Sequence, residues 1–259
     1  MTKSAPTPLH PPIWLQNQLL LTPHGMFTRR NGTSPLPFSS LNLSLGVGDT
    51  SENVAINRQQ IKKALDIDIL VTSQQVHSNK VFCSDAISED TEVHGYDALV
   101  TGIPGTGLLI QQADCQAILL HDPFKGAIGA IHCGWRGSVL NIIRATVNRM
   151  SMEYGSDPVS MRAVISPSLG PCCSEFKNFR EEIPEYLHDY QVKPGYFNFW
   201  KMSKDQLMAA GMQEKYIDTV SICTVCNRDF FSYRRAKKQG RQATGRHGSA
   251  ICLKRQNAG

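Results

Sequence analysis

The sequence predicts an α/β or α+β protein, and two features carry that expectation. Short runs rich in Val, Ile and Leu recur between residues 69 and 132, broken by turn residues such as His94-Gly95 and Asp122-Pro123. Stretches with helical spacing stand before and after them. At 259 residues and 41% hydrophobic, the chain can bury a core that needs no staples. A lead-in over 1–22 and a single catalytic domain over 23–259 are the expected organisation, with no internal repeat or low-complexity tract.

Taken in order, Pro6, Pro8, Pro11 and Pro12 discourage regular structure at the start. Residues 29–40 (RRNGTSPLPFSS) read as a polar loop. A helix follows: Asp49 can cap it, Glu52 completes a capping box, and Val54, Ile61 and Leu65 fall along one face. Strands are expected at 69–76, 79–83, 97–101, 107–112, 116–121 and 126–132. The clearest helix begins near Ser138. Leu140, Ile143, Val147 and Met150 share its face, and Gly155 supplies the stop. A strand over 159–165, a charged helix near 177–189, a short helix near 203–211 and a strand near 217–223 complete the reading.

Composition narrows the class. A formal charge of +5 is mild for this length, so nucleic acid is not the expected partner. No run of eighteen apolar residues is present to span a membrane. The stretch from Ile13 to Leu21 is interrupted by Gln16, Asn17 and Gln18 and lacks signal-peptide flanks. A cytoplasmic location is therefore expected, with the eight cysteines serving as reduced thiols, metal ligands or catalytic groups.

Three residues stand where apolar runs end: His77 after ILVTSQQV, Cys115 after LLIQQAD and His132 after GAIGAI. Strand ends aim side chains into clefts. Two imidazoles and a thiol can form a zinc site with one open position, or a thiol nucleophile with histidine partners. Asp114 adds a charge beside Cys115 that an inert core cysteine would not favour. After His132, Gly134 and Gly137 let the chain turn into a helix. Exposed N–H groups and Arg136 there suit a phosphate or carboxylate. Alternatively, Arg136 pairs with a structural carboxylate and Trp135 is core.

Two further features compete. Cys223-Thr-Val-Cys226 has metal or redox spacing, but Cys172 and Cys173 are adjacent, a poor chelating arrangement, so packing is the expected role of all four. Residues 228–255 carry nine Lys or Arg against the single acid Asp229, interleaved with Phe230, Phe231 and Tyr233. That stretch suits RNA contact, a solvated face, or a cleft for an anionic substrate lined by Ser232-Tyr233-Arg234-Arg235.

Together these segments resemble the laccase-like multicopper polyphenol oxidoreductase family, also called the purine nucleoside phosphorylase or peptidoglycan editing factor family. The matching stretches are FTRRNGTS (27–34), SLNLSLGVGD (40–49), NR (57–58), QQVH (74–77), DALVT (97–101), QQADC (111–115), HCGWRG (132–137), SPSLGPCCSEF (166–176) and CTVC…FFSYRR…GR (223–246). The resemblance implies a layered α/β/β/α fold with mixed sheets, similar to the catalytic fold of cytotoxic necrotizing factor toxins. It also implies that His77, Cys115 and His132 are both the metal ligands and the catalytic groups, usually with zinc and in some members copper. Arg136, Arg29, Asn42, Gln75 and Asp114 are the candidate substrate- and phosphate-binding residues. Small departures stand at Asn31-Gly32, where the family has Gly-Gly, and at Ser174, where it has Tyr.

The family names imply different chemistry. A four-copper oxidase needs about ten histidines paired as HxH, whereas this chain has eight histidines and no HxH. Phosphorolysis of adenosine, inosine, guanosine or methylthioadenosine, with adenosine deamination beside it, fits a zinc site next to a phosphate holder better. Deamination would lack the usual HxE glutamate and would need Asp114 or Cys115 as base. A Cys-His amidohydrolase acting on peptidoglycan precursors and an RNA- or partner-binding protein are the alternatives.

Overall fold

Runs such as Leu108-Leu109-Ile110 and Ala117–Leu120 are apolar without alternation, and every residue in them is buried. A strand buried on both faces needs a layer on either side. The computed structural model, which describes residues 10–255, has that architecture. One six-stranded sheet runs β1 (Trp14–Leu15), β2 (His24–Phe27), β14 (His247–Cys252), β7 (Thr106–Gln112), β3 (Ile69–Gln74), β5 (Thr91–His94). The other runs β13 (Ile217–Thr219), β10 (Arg162–Ile165), β8 (Gln116–Asp122), β9 (Ala127–Cys133), β6 (Ala98–Thr101), β4 (Val81–Cys83). Both are mixed: β3 pairs parallel with β5 and β7, and β8 pairs antiparallel with β9 and β10.

The two-residue period of a strand assigns each side chain to a layer. Leu108 and Ile110 face Ala117, Leu119, Ile128 and Val164 between the sheets. Leu109 turns outward with Phe27 and Ala250 against Ile61 and Leu65 of α1 (Ser51–Leu65). Ile118, Leu120 and Ile131 turn the other way, onto Ile143, Val147 and Met150 of α3 (Ile142–Tyr154) and Leu207 of α5 (Phe199–Ala209). Each buried aliphatic side chain contributes about 1.5–3 kcal/mol. The result is the α/β/β/α stack that the resemblance implies.

Several boundaries move. Pro6 and Pro8 lie outside the described residues, but the lead-in that follows is not irregular throughout: Trp14–Leu15 pairs with Phe27 and Met26. Thr50 rather than Asp49 caps α1, accepting from the Asn53 amide, while Asp49 holds Asn42 and Asn53. The helix after His132 is two helices, α2 (Trp135–Val139) and α3. Leu140 is half exposed between them, and Asn141 caps the second. Pro184 limits the charged helix to α4 (Phe179–Glu182), followed by a 3-10 turn and the hairpin β11 (Gln191–Lys193) and β12 (Tyr196–Phe197). Helix α6 (Tyr233–Lys238) and strands β2, β5 and β14 were not legible. No helix among the described residues is long and apolar enough to cross a membrane.

Candidate metal and substrate site

The link between β7 and β8 carries the chain from one sheet to the other, and Cys115 sits in it. His77 follows the end of β3 in the first sheet, and His132 is the penultimate residue of β9 in the second. The junction of the sheets therefore gathers the three. Cys115 Sγ lies 3.8 Å from His77 Nε2, and the two imidazoles meet edge to face with centroids 4.8 Å apart. The potential ligand atoms of the trio all lie within 4.8 Å of one another.

Asp97, to which the sequence alone assigns no role, sits behind them. Fully buried, it receives His132 Nδ1–H at 2.8 Å and the backbone N–H groups of Val76, His77 and Ser78 at 3.2, 2.8 and 2.7 Å. Those bonds hold His77 at φ 62°, a left-handed conformation that a residue with a Cβ adopts at a cost of about 1 kcal/mol or more. Burial alone would raise the Asp97 pKa, but the donors from His132 and Ser78 bring it down to about 2. An acid directly before the apolar run of β6 is its one local sign, and only the fold shows that this acid is buried. With its proton held at Nδ1, His132 presents Nε2 to the other two residues.

Electrostatics couple the trio. Burial disfavours the Cys115 thiolate, yet His132 and His77 pull its pKa below the ordinary thiol value. Burial likewise opposes charge on His132, and Cys115 and Asp97 together raise it. Gly134 makes room for the cluster, since a Cβ there would stand 3.0 Å from both Cys115 Sγ and His77 Cδ2. A tetrahedral zinc spaces one sulfur and one imidazole nitrogen by about 3.5 Å. The donor set and its spacing therefore fit a divalent ion that keeps a fourth position open.

The trio forms part of the wall of a cleft of about 960 Å³. Of the candidate substrate residues, Gln75 and Asp114 line it, but both are already engaged. Gln75 exchanges hydrogen bonds with the Gln111 backbone at 2.7 and 2.9 Å. Asp114 accepts from Thr224 Oγ1 at 2.6 Å and from the Arg234 backbone N–H at 2.9 Å, one on each oxygen. Asn42 is fully buried and positions the wall rather than forming it, binding Ser44 O and accepting from the Arg246 backbone N–H.

The two candidate phosphate arginines are corrected. Arg136 points to solvent and stacks on Trp135, because the turn after Gly134 starts a five-residue helix whose exposed side carries it. Arg29 bonds to Ser39 O and stacks on Phe231, away from the cleft wall. The cleft instead takes its cations from Arg234 and Arg246, both in the basic C-terminal stretch. Arg234 Nη1 is fixed on Glu175 O at 2.6 Å and Arg246 Nη1 on Thr244 O at 2.9 Å. Burial lowers the Arg246 pKa, with the Cys115 and Asp114 charges opposing that. Trp135, Phe176 and Tyr233 supply aromatic faces on the same wall. RNA contact by this stretch loses its main groups. Phe230 and Phe231 are buried, and Arg235 spends its guanidinium on the carbonyls of Thr224, Val225, Asn227 and Phe230.

The packing role expected for the other cysteines fits only Cys223. Cys172 and Cys226 are exposed, and the four thiols cluster. Adjacency is no obstacle, because the turn closed by Cys173 N–H on Gly170 O at 2.9 Å lets both sulfurs of the pair reach Cys226.

A layered α/β/β/α stack whose sheet junction gathers a thiol and two imidazoles defines a class of proteins with a substrate-sized cleft walled by a candidate metal-ligand set. The chain belongs to the family described as multi-copper polyphenol oxidoreductase laccase, whose model matches residues 23–254. It is 31% identical over 242 residues to a purine nucleoside phosphorylase of Bacteroides thetaiotaomicron, covering 86% of this chain and 90% of that one. It is 32% identical over 241 residues to the purine nucleoside phosphorylase YlmD of Geobacillus stearothermophilus, covering 86% of each. The crystal structure of that YlmD superposes with a TM-score of 0.81 at 27% identity, over 95% of this chain and all of the other. The structure of Bacillus licheniformis YfiH, a hypothetical protein, gives 0.79 at 31% identity over 89% and 92%.

Proposed function

We propose that the chain is a purine nucleoside phosphorylase working in this cleft as a single catalytic domain. The observation that carries the reading is that Arg234 and Arg246, held by backbone carbonyls, share one cleft with the Cys115–His77–His132 cluster and the aromatic rings of Trp135, Phe176 and Tyr233. The names of the relatives support it.

His77, Cys115 and His132 would hold a divalent ion, and zinc suits two imidazoles and a thiolate. When bound, such an ion supplies Lewis acidity toward a substrate oxygen. The residues around it do the rest. Arg246 and Arg234 offer guanidinium donors to phosphate oxygens, which brings the nucleophile to the ribose carbon in one orientation. Trp135, Phe176 and Tyr233 give the purine ring apolar faces. Asp97 receives the proton of His132 Nδ1, so that Nε2 is the atom turned toward Cys115 and His77. The phosphate oxygen bonds to C1′, the C1′–N9 bond breaks with its electron pair going to the purine, and the purine takes the proton that hydrogen phosphate gives up, so that free base and ribose 1-phosphate leave.

Adenosine deamination would use the same cleft. Asp114 can serve as its base, since it lines the cleft and each carboxylate oxygen accepts only one hydrogen bond and keeps a further lone pair. A second reading rests on Cys115, His132 and Asp97 alone, which stand as nucleophile, base and orienting carboxylate of an amide hydrolase suited to peptidoglycan precursors. Four-copper oxidation does not fit, since only His77, His94 and His132 among the described histidines line the cleft.

A panel of adenosine, inosine, guanosine and methylthioadenosine, with and without phosphate, tests the proposal by mass detection of products. Free base and ribose 1-phosphate in equal amounts, only with phosphate, support it. Absence of phosphate-dependent base release from metal-loaded protein refutes it. A metal-free protein that iodoacetamide inactivates at Cys115 favours the amide hydrolase.

A further inference from the structure

Four thiols meet outside the cleft. Cys172 and Cys173 stand in the turn after Gly170, and Cys223 and Cys226 bracket the turn beyond β13. The sulfurs of Cys172 and Cys173 lie 3.7 and 3.6 Å from that of Cys226, and all four fall within 4.8 Å of one another. Thiolates at about 2.3 Å from a tetrahedral zinc stand about 3.8 Å apart. Burial of apolar groups does not explain the cluster, because Cys172 and Cys226 are exposed.

The backbone is built to bring them together. Ser168 and Cys223 form a parallel bridge, with Ser168 N–H donating to Ile222 O at 3.1 Å and Thr224 N–H to Ser168 O at 3.0 Å. A Cβ at Gly170 would stand 2.9 Å from both Cys223 Cβ and Trp200 Cη2, so only glycine lets the segments close. Backbone N–H groups of Cys226, Gly170 and Val225 are aimed at the sulfur of Cys223. Donors of this kind favour a thiolate over a thiol. Arg235 wraps the Cys223–Cys226 turn through four carbonyls, placing a cation beside the sulfurs.

We propose that Cys172, Cys173, Cys223 and Cys226 form a second metal site, of four thiolates, that takes a tetrahedral zinc-class ion. Binding releases the four thiol protons and leaves a double negative charge, partly balanced by Arg235. The site is closed, with no position for substrate, so its role is to staple the segment around Pro171 to the turn around Val225. Both ends of the staple touch Asp114: Leu169 N–H donates to Asp114 O at 2.8 Å and Thr224 Oγ1 to Asp114 Oδ1 at 2.6 Å. The ion thus fixes the residue next to Cys115 without entering the cleft. The proposal stands apart from the phosphorylase reading.

The test counts metal in full-length protein purified without chelator, as wild type, Cys115→Ala, and the double variant Cys223→Ser/Cys226→Ser. Wild type should carry one ion more than the double variant, and Cys115→Ala should keep one. Cobalt loaded into Cys115→Ala should show the intense thiolate charge-transfer and visible bands of a tetrahedral four-sulfur site. That spectrum decides the matter even if the double variant does not fold. A Cys115→Ala protein that is folded and metal-free, with these four cysteines open to alkylation or joined as disulfides on peptide mapping, overturns the proposal.

Discussion

Asp97 Oδ1 lies 2.8 Å from His132 Nδ1 and 2.8 Å from the backbone nitrogen of His77, so one buried carboxylate orients two members of the cluster. Asp97→Asn keeps the shape and removes the charge. Metal affinity should fall about 10–100-fold, as it does when a carboxylate behind a ligating histidine is lost. Competition against a zinc chelator reads this directly, and unchanged affinity would deny Asp97 that role. Asp97→Ala also strands buried N–H donors and should cost roughly 3–5 kcal/mol in urea unfolding.

Gly134→Ala tests the packing around the trio. The added Cβ would meet Cys115 Sγ and His77 Cδ2 at 3.0 Å, so the ligands must part by a few tenths of an ångström. A drop of about tenfold or more in metal affinity is expected, with a melting temperature close to wild type. Full retention of affinity would mean that the cluster has slack the structure does not show.

The arginines separate two accounts of phosphate binding. Arg246→Ala should raise KM for phosphate about 10- to 100-fold, the worth of a charged hydrogen bond of roughly 1.5–3 kcal/mol. Arg136→Ala, on the solvent side of α2, should change it less than about twofold. Steady-state kinetics at varied phosphate decide, and the reverse pattern would return the phosphate to the helix start.

Acid should unfold the protein through two buried histidines. Burial, with Arg162 nearby, lowers His121 to about 4, and its Nδ1 accepts from the Leu21 N–H at 3.3 Å. Burial, with Arg246 and Arg235, lowers His247 to about 3. Each is neutral when folded and takes a proton near 6.5 when unfolded. Stability is therefore full above pH 6.5 and falls as pH drops through the folded values. The slope is about 1.4 kcal/mol per pH unit for each histidine. Urea unfolding between pH 7 and 4 measures it, and His121→Gln should flatten the profile. A pH-independent midpoint over that range would contradict the assignment.

The layers and the trio were legible because unalternating apolar runs and their polar ends are local signals. Asp97 was not, since only the fold of β6 beside β9 puts it behind His132. Arg136 misled for the opposite reason: its neighbours form a true helix start, but a helical turn decides direction, and Arg136 faces water. Arg246 gave no local sign, being one of nine cations in its stretch until Asn42 and β14 fix its place. Adjacent Cys172 and Cys173 argued against chelation until the Gly170 turn was seen. Strand β14, HGSAIC, is too small and polar to announce itself, yet it pairs with β7 from His247 to Cys252.

Phosphate and nucleoside are proposed to react at the Cys115–His77–His132 cluster. The most direct measurement is the yield of ribose 1-phosphate from inosine at varied phosphate, for wild type and for Cys115→Ala of equal melting temperature. One ribose 1-phosphate per hypoxanthine is expected, saturating with phosphate, with a loss of at least about a hundredfold in kcat for the variant. Hypoxanthine release that ignores phosphate, or a Cys115→Ala protein as active as wild type, would contradict it.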